Sequence, residues 1–213
     1  DAFCAENFAR RAIDRVGDSA KILLLPTISC GFSMTHMAFP GTITLSAQTF
    51  MAVIGDICRS VVKHGIKRIV LLNGHVGNVA SAGVVATQIN VETGAAVLLV
   101  NWWDLCGDEI KRNFGFMFHA CEAETSVAMA LGQNSKLEIA KGSKPASDIE
   151  FVKYNMFSDG PRVQASIRTL NELSESGAVG SPEKADRKKG EEVVEAAVKR
   201  LSDLLMEFSS STE

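Results

Sequence analysis

The chain has 213 residues, a net charge of −3 and 46% hydrophobic residues, with a mean hydropathy of +0.10. This composition predicts a folded protein with a sizeable core, and it excludes wholesale disorder and the basic field that holds nucleic acid or an anionic membrane. No apolar run approaches the roughly 20 residues that span a bilayer, and the N-terminus lacks a signal-peptide layout.

The five cysteines are widely spaced and form no Cys-x-x-Cys pair. This pattern favours reduced thiols over a disulfide framework or a cysteine-rich zinc site, so we expect a cytoplasmic protein. The chain opens at Asp1 and not at Met, and we expect that a preceding segment has been removed, processed or left out.

The first elements in chain order are a helix, a strand and a long loop. Apolar residues at helical spacing predict a helix over 2–16, and the apolar run Lys21–Leu25 predicts a buried strand. Residues 26–45 are rich in Gly, Ser, Thr and Pro, which is typical of a functional loop.

Helices and strands then alternate. Ser46 is a candidate N-cap for a helix that Gly65 ends, and Arg68–Leu72 predicts a second strand. A helix over 79–92 precedes a third strand over 96–101. Alternation with short connections indicates a mostly parallel sheet with helices on both faces.

The C-terminal half is less regular. A short helix is predicted over 122–131, and residues 133–180 give no clear pattern. An amphipathic helix with Ser181 as its N-cap closes the chain, and residues 209–213 form a polar tail. We therefore predict a single three-layer α/β domain over residues 1–208.

His75 is the first candidate site residue, in the loop Asn73-Gly-His-Val-Gly-Asn78 after the second strand. Parallel strands bring their C-terminal ends to one sheet edge, where active sites commonly lie. An imidazole there suits a divalent metal or a general base, and the alternative is a histidine that merely packs against a turn. The spacing does not match a phosphate-binding glycine loop.

His119, Glu122 and Glu124 form a second candidate group just ahead of a predicted helix. On a continuous helix the two glutamates would point about 200° apart, so the three converge only if the backbone is non-helical until about Glu122. A charged helix cap without catalysis is the alternative. A nucleophilic pair of Cys121 with His119 is disfavoured because no third orienting group is evident.

Substrate-binding candidates follow the first and third strands. Ser33 and His36 lie on the long loop, where the alternative is an ordered loop whose side chains serve only its own hydrogen bonds. Trp102 and Trp103 follow the third strand, and their rings suit a pocket wall, core packing or a subunit contact.

Taken together, these segments resemble the creatininase (creatinine amidohydrolase) family. The segments that match in order and spacing are Gly31–His36, Phe39–Thr42, Asn73–Asn78, His119–Ser126 and Gly177–Pro182. The resemblance implies a three-layer α/β protein that holds two divalent metal ions and hydrolyses C–N bonds in cyclic amides, formamides or peptides.

The resemblance also implies roles for individual residues. Asp1 matches the aspartate that bridges the two metals, and His75 matches a metal-binding histidine. His119 and Glu124 match the pair that handles protons near the scissile bond.

The chain departs from the family pattern at several positions. The family's upstream Glu-x-His motif, which supplies a ligand to each metal, is absent from a chain that starts at Asp1. Val76-Gly77 stands where creatininase itself has a Tyr and a metal-binding Glu, so we infer Glu122 as the replacement ligand. Cys121 replaces a usual glycine, and an aromatic–acid pair is missing before His119, which argues against creatinine itself as the substrate.

We therefore expect a metal-dependent amidohydrolase that uses Zn, Mn or Fe to cleave a small cyclic amide or formamide. The alternatives are hydrolysis of an oxidised inositol or a short peptide, or an inactive, metal-poor family member that acts in assembly. The expected partners are a small-molecule substrate and further copies of the chain, since the resemblance implies oligomers and hexamers are common in the family, with no nucleic acid and no membrane.

Overall fold

The computed structural model describes residues 1–144, 149–159 and 167–211. They fall in two compact units: Asp1–Met34, Ile43–Leu105 and Ala197–Glu213 form the first, and Thr35–Thr42 and Cys106–Ala196 form the second. The single domain over residues 1–208 stays a prediction.

The regular elements are mostly helical. The helices are α1 (Ala2–Val16), α2 (Ala47–Lys63), α3 (Val79–Thr93), α4 (Gly107–Phe114), α5 (Glu122–Ala130) and α6 (Arg187–Ser210). The strands are β1 (Arg68–Asn73) and β2 (Ala96–Asn101). No helix in the described part of the chain is long and apolar enough to cross a bilayer.

The sheet of the first unit is parallel, as predicted. β1 and β2 pair in register from Arg68 opposite Ala96 to Asn73 opposite Asn101. Because side chains alternate along a strand, one face carries every second apolar residue, and α2 and α3 pack against it. The buried residues of this core are Phe50, Ile54, Cys58, Ala82, Val85, Ala86, Ile89, Ala95 and Val97.

α1 contacts β1, and the apolar face of α1 is buried. The Phe8 ring is buried and stacks on Trp102 with ring centroids 5.3 Å apart. On the C-terminal part of α6, the Ser202 hydroxyl donates to the Ala12 carbonyl oxygen at 3.2 Å. These contacts fix the position of Asp1, the N-cap residue of α1.

Helix ends that depend on local signals were predicted correctly. The Ser46 hydroxyl accepts the Thr49 N–H at 3.1 Å, as an N-cap does. Gly65 and Gly94 follow α2 and α3 with φ of +88° and +65°, a left-handed conformation that favours glycine.

Two sequence predictions are wrong, and one helix was missed. Lys21–Leu25 is not a strand, and Leu23 is 67% exposed. α4 was not predicted at all. Ser181 begins only the short 3₁₀ turn Pro182–Lys184, because the backbone turns again before α6 begins at Arg187.

In the second unit, α5 and α6 approach closely. An added Cβ on Gly190 would lie 2.1 Å from the Ser126 carbonyl oxygen, so only glycine fits there. The Ser126 hydroxyl accepts the Asp186 N–H at 2.9 Å, and the Asp186 carboxylate accepts the Lys188 N–H at 2.7 Å. Asp186 therefore acts as the N-cap of α6, in place of Ser181.

Candidate functional site

Asp1 and His75 lie side by side in the first unit. Asp1 Oδ2 is 3.2 Å from His75 Nδ1, with the histidine side chain 9% exposed and the aspartate 54% exposed. Gly74 makes this approach possible, because an added Cβ there would lie 2.6 Å from the Asp1 carbonyl oxygen. The structure thus brings together the two residues that the family resemblance assigns to the metals.

The other nitrogen of the His75 ring faces the loop that precedes α2. His75 Nε2 is 3.2 Å from the Phe32 carbonyl oxygen and 3.4 Å from Ser33 Oγ. A carbonyl oxygen can only accept, so the contact with Phe32 is a hydrogen bond when Nε2 carries the hydrogen. Ser33, a predicted substrate-binding residue, therefore lies directly beside His75.

This orientation suits metal binding. With hydrogen on Nε2, a neutral His75 ring presents the lone pair of Nδ1 to the Asp1 carboxylate. Nδ1 and the carboxylate oxygen would then both be acceptors, and a separation of 3.2 Å suits them when they bind the same cation. The alternative is an imidazolium ring, whose Nδ1–H donates to the carboxylate. A ligand histidine usually donates its second N–H to a carbonyl or carboxylate, as His75 does to Phe32.

A chain of amide side chains supports this arrangement from the ends of the strands. Asn101 Nδ2 donates to Asp104 Oδ2 at 2.8 Å, and Asn73 Nδ2 donates to Asn101 Oδ1 at 2.9 Å. Asn73 Oδ1 in turn accepts the backbone N–H of His75 at 3.1 Å.

Asn78 extends this chain of amide side chains to the loop that precedes α2. Its Nδ2 donates to Asn73 Oδ1 at 3.3 Å, and its Oδ1 accepts the Phe32 N–H at 2.9 Å. An added Cβ on Gly31 would lie 2.6 Å from Asn78 Oδ1, so glycine is required there. Sequence reasoning did not assign these amides a role, although an Asn ends each strand of the sheet.

His119 and Glu124 lie in the second unit, on either side of a sharp turn. His119 pairs with Val179 in an isolated antiparallel bridge, and Ala120 then takes a left-handed φ of +44°. α5 begins only at Glu122, which confirms the condition that the backbone is non-helical up to that residue. Glu124 Oε2 accepts the Ala120 N–H, so its carboxylate stabilises the turn that carries His119.

His36 lies against His119 in the same unit. The two rings meet edge to face, with centroids 4.6 Å apart. Thr35 Oγ1 lies 3.1 Å from His36 Nδ1, and the Thr42 hydroxyl donates to the His36 carbonyl oxygen at 3.0 Å. The loop histidine is thus held by its own segment and contacts the proposed proton carrier.

Two further residues of this segment have different surroundings. Glu122 lies 3.6 Å from Lys189 Nζ, in an ion pair, and its role as a metal ligand stays a prediction. Burial raises the pKa of the Cys121 thiol to about 11, and the Glu124 charge contributes to this rise. A thiol with such a pKa stays protonated near neutral pH, which argues against a Cys121 nucleophile.

The tryptophans after β2 belong to the interior of the first unit. Trp102 and Trp103 are 2% and 4% exposed, and their rings meet edge to face at 5.9 Å. Core packing was one of the alternatives that the sequence left open, and it describes these side chains. The substrate-binding role of Trp103 stays a prediction.

The predicted residues therefore form two groups. Asp1, Ser33 and His75 are together in the first unit, and His36 contacts His119 in the second. Within residues 1–144, 149–159 and 167–211, no group of three or more His, Cys, Asp or Glu side chains is placed to hold a metal ion.

Comparison with known proteins gives a match to one family over almost the whole chain. The model of the family described as "Creatininase: Creatinine amidohydrolase" matches residues 1–205. The creatinine amidohydrolase of Pseudomonas putida is 27% identical over 218 residues, which cover 93% of this chain and 78% of that protein. The mycofactocin precursor peptide peptidase of Mycobacterium ulcerans (strain Agy99) is 33% identical over 107 residues, which cover 50% of this chain and 38% of that protein.

Solved structures agree on the fold. A structure named "Creatininase Mn" superposes with a TM-score of 0.72 at 25% identity, covering 97% of this chain and 82% of that one. This similarity confirms the predicted α/β sandwich with a parallel sheet.

Proposed function

The chain belongs to the creatininase family, and on that premise we propose that it is a metal-dependent amidohydrolase that cleaves a C–N bond in a small cyclic amide or formamide. The observation that carries the proposal is the pairing of His75 Nδ1 with the Asp1 carboxylate at 3.2 Å, with His75 Nε2 directed at a carbonyl oxygen.

The donor atoms of this pair fit a divalent metal. His75 Nδ1 and the Asp1 carboxylate would hold the ion, and Glu122 is the further ligand that we propose. Nitrogen and oxygen donors without thiolate suit Zn, Mn or Fe, and Mn is the metal in the name of one related structure. When bound, the ion would polarise the scissile carbonyl and activate water.

Protein side chains would handle the protons and the leaving group. His119 would donate a proton to the departing nitrogen, which an amine needs in order to leave at neutral pH. Glu124 would orient this histidine through the Ala120 N–H that it accepts, and it would relay a proton. Ser33, His36 and Trp103 are the proposed substrate contacts.

Peptide hydrolysis is the second candidate. The peptidase of Mycobacterium ulcerans is 33% identical to half of this chain, a closer local match than the 27% identity of the creatinine amidohydrolase. Both reactions cleave a C–N bond next to a carbonyl group, so one site could serve either and the pocket would decide between them.

The test is hydrolysis by the purified chain after metal removal with a chelator and reloading with Zn²⁺ or Mn²⁺. Amine release would be measured on cyclic amides, N-formyl compounds and short peptides. We expect activity only after reloading, a loss of at least about 100-fold in His75→Ala, and no change in His64→Ala, which alters a histidine at the C-cap of α2.

Each outcome separates the candidates. Cleavage of cyclic amides or formamides supports the first candidate, and cleavage of peptides alone replaces it with the second. A protein that neither binds metal nor hydrolyses any of these compounds overturns both and leaves a role in assembly.

We also propose that the chain forms a homo-oligomer in a reducing compartment such as the cytoplasm. Family resemblance supports the oligomer, and the five cysteines, all present as thiols, support the compartment. Light scattering coupled to size exclusion would test the oligomer, since a mass near 22.9 kDa contradicts it.

A further inference from the structure

The amide chain at the ends of the strands has one fixed end, Asp104. An ionised carboxylate has no hydrogen to donate, so Asn101 must present its NH₂ group to it and its carbonyl oxygen to Asn73. Asn73 is thereby oriented with its own oxygen toward the His75 backbone N–H. An asparagine amide without such an anchor can turn over and exchange its donor and acceptor.

The pairing register of β1 and β2 makes this row of hydrogen-bonded amides possible. Asn73 and Asn101 are direct partners at the ends of β1 and β2, so their side chains meet without a change in the backbone. Asn73 is 7% exposed, and in such an environment a reversed amide would set two acceptors against each other.

The other end of this amide network, Asn78, reaches the loop that contacts the His75 ring. Asn78 accepts the Phe32 N–H at 2.9 Å, and the next peptide N–H, that of Ser33, donates to Thr44 Oγ1 at 2.8 Å. Both peptide groups flanking Phe32 are therefore fixed, and its carbonyl oxygen is directed at His75 Nε2.

We propose that Asp104 is a positioning residue that, through the three asparagine side chains, holds the Phe32 carbonyl oxygen against His75 Nε2. With Nε2 donating to that oxygen, Nδ1 is the nitrogen left to bind a metal ion beside the Asp1 carboxylate. The proposal rests on the proposed function only in taking His75 as a metal ligand. Supporting groups of this kind typically change metal affinity by about 10-fold to 100-fold.

The experiment uses the Zn²⁺-loaded chain labelled with ¹⁵N-histidine, in which the tautomer shows which nitrogen of His75 is left to bind the ion. Long-range ¹H–¹⁵N spectra distinguish the two tautomers, and the His75 signals are assigned by their loss in His75→Gln. In the wild type we expect hydrogen on Nε2. In Asp104→Ala we expect a mixture of tautomers and a Zn²⁺ dissociation constant about ten-fold higher.

Asp104→Asn keeps the shape of the side chain, but its amide can turn over, so it should shift the tautomer in the same direction as Asp104→Ala. Asp14→Ala removes an exposed aspartate from α1 and should change neither signal. Should Asp104→Ala fail to fold, Asn101→Asp tests the same step, since it removes the donor and keeps the shape.

A folded Asp104→Ala or Asn101→Asp protein with the wild-type His75 tautomer and Zn²⁺ affinity overturns the proposal. The tautomer and the Zn²⁺ affinity are read without substrate, so this failure is distinct from a failure of the proposed hydrolase activity.

Discussion

His36 and His119 pack edge to face with their ring centroids 4.6 Å apart. The first lies on the loop before α2, and the second lies on the turn before α5, 83 positions later in the chain. An edge-to-face pair of this kind contributes about 0.5–1.5 kcal/mol beyond the area it buries.

Replacement of His36 should separate its packing from its polar role. We expect His36→Ala to lower the free energy of unfolding by about 1 kcal/mol and to lower kcat, because the His119 ring loses a neighbour that holds it. His36→Phe keeps the ring contact, so it should preserve stability and kcat while raising KM if the imidazole contacts substrate. Thermal unfolding and steady-state kinetics measure both. Equal stability and equal kinetics in the wild type and His36→Ala would exclude both roles.

Gly77 should tolerate no side chain. An added Cβ would lie 2.5 Å from His75 Nε2 and 2.6 Å from the Phe32 carbonyl oxygen, and the second of these is backbone. We expect Gly77→Ala to destabilise the protein by about 1–3 kcal/mol and to weaken Zn²⁺ binding, because the His75 ring must move.

Gly83→Ala is the matched control. Gly83 lies inside α3, and an added Cβ there meets only Leu99 Cδ2, at 3.9 Å. Alanine favours a helix over glycine, so this variant should be as stable as the wild type or more stable by about 0.5–1 kcal/mol. If the two glycine variants have the same free energy of unfolding and the same Zn²⁺ affinity, the close packing described around His75 is contradicted.

Cys121 should give the protein a pH-dependent stability at high pH. Burial, with a contribution from Glu124, raises the pKa of this thiol from 9.0 to about 11 in the folded chain. The unfolded chain ionises first, so the stabilisation is complete below pH 9 and is lost as the pH rises toward 11. The loss should reach about 2–3 kcal/mol, the equivalent of two pKa units.

Denaturant unfolding between pH 8 and 11 measures this effect. Cys121→Ala should lack the Cys121 contribution to the slope, whereas Cys30→Ala, which alters a half-buried cysteine, should retain it. At pH 8 the folded thiol should resist alkylation, and Cys121→Ala should keep hydrolytic activity. Loss of activity with intact folding would restore the nucleophile hypothesis.

Ala120 should respond to substitution unlike an alanine in a helix. Its φ of +44° disfavours a side chain by about 1–2 kcal/mol, so Ala120→Gly should be neutral or stabilising. Ala128→Gly, inside α5, should destabilise the protein by about 1 kcal/mol. Equal destabilisation in the two variants would contradict the left-handed turn before α5.

Sequence reasoning succeeded where structure is determined locally. Ser46, Gly65 and Gly94 define the ends of α2 and α3 through their own conformations and hydrogen bonds, which neighbouring residues can predict. The Lys21–Leu25 strand failed because a strand exists only through a partner, and an apolar run does not specify one. The Ser181 cap failed because two turns follow each other, and Asp186 competes as the cap of α6.

The candidate site was predicted to a similar extent. Family resemblance selected Asp1 and His75, and the structure places Asp1 Oδ2 3.2 Å from His75 Nδ1. The amide chain through Asn73 and Asn101 was missed, because its hydrogen bonds join segments that are distant in sequence. Two asparagines at the ends of parallel strands were the available signal, since the carboxyl ends of such strands gather functional side chains.

The central claim is that Asp1 and His75 hold a divalent metal ion. Isothermal titration of the metal-free chain with Zn²⁺ tests it most directly, with Asp1→Asn, His75→Ala and the control His64→Ala measured alongside. We predict saturable binding in the wild type and in His64→Ala, and binding at least about ten-fold weaker in both site variants, since each loses a ligand. Equal Zn²⁺ affinity in the wild type, Asp1→Asn and His75→Ala would contradict the claim.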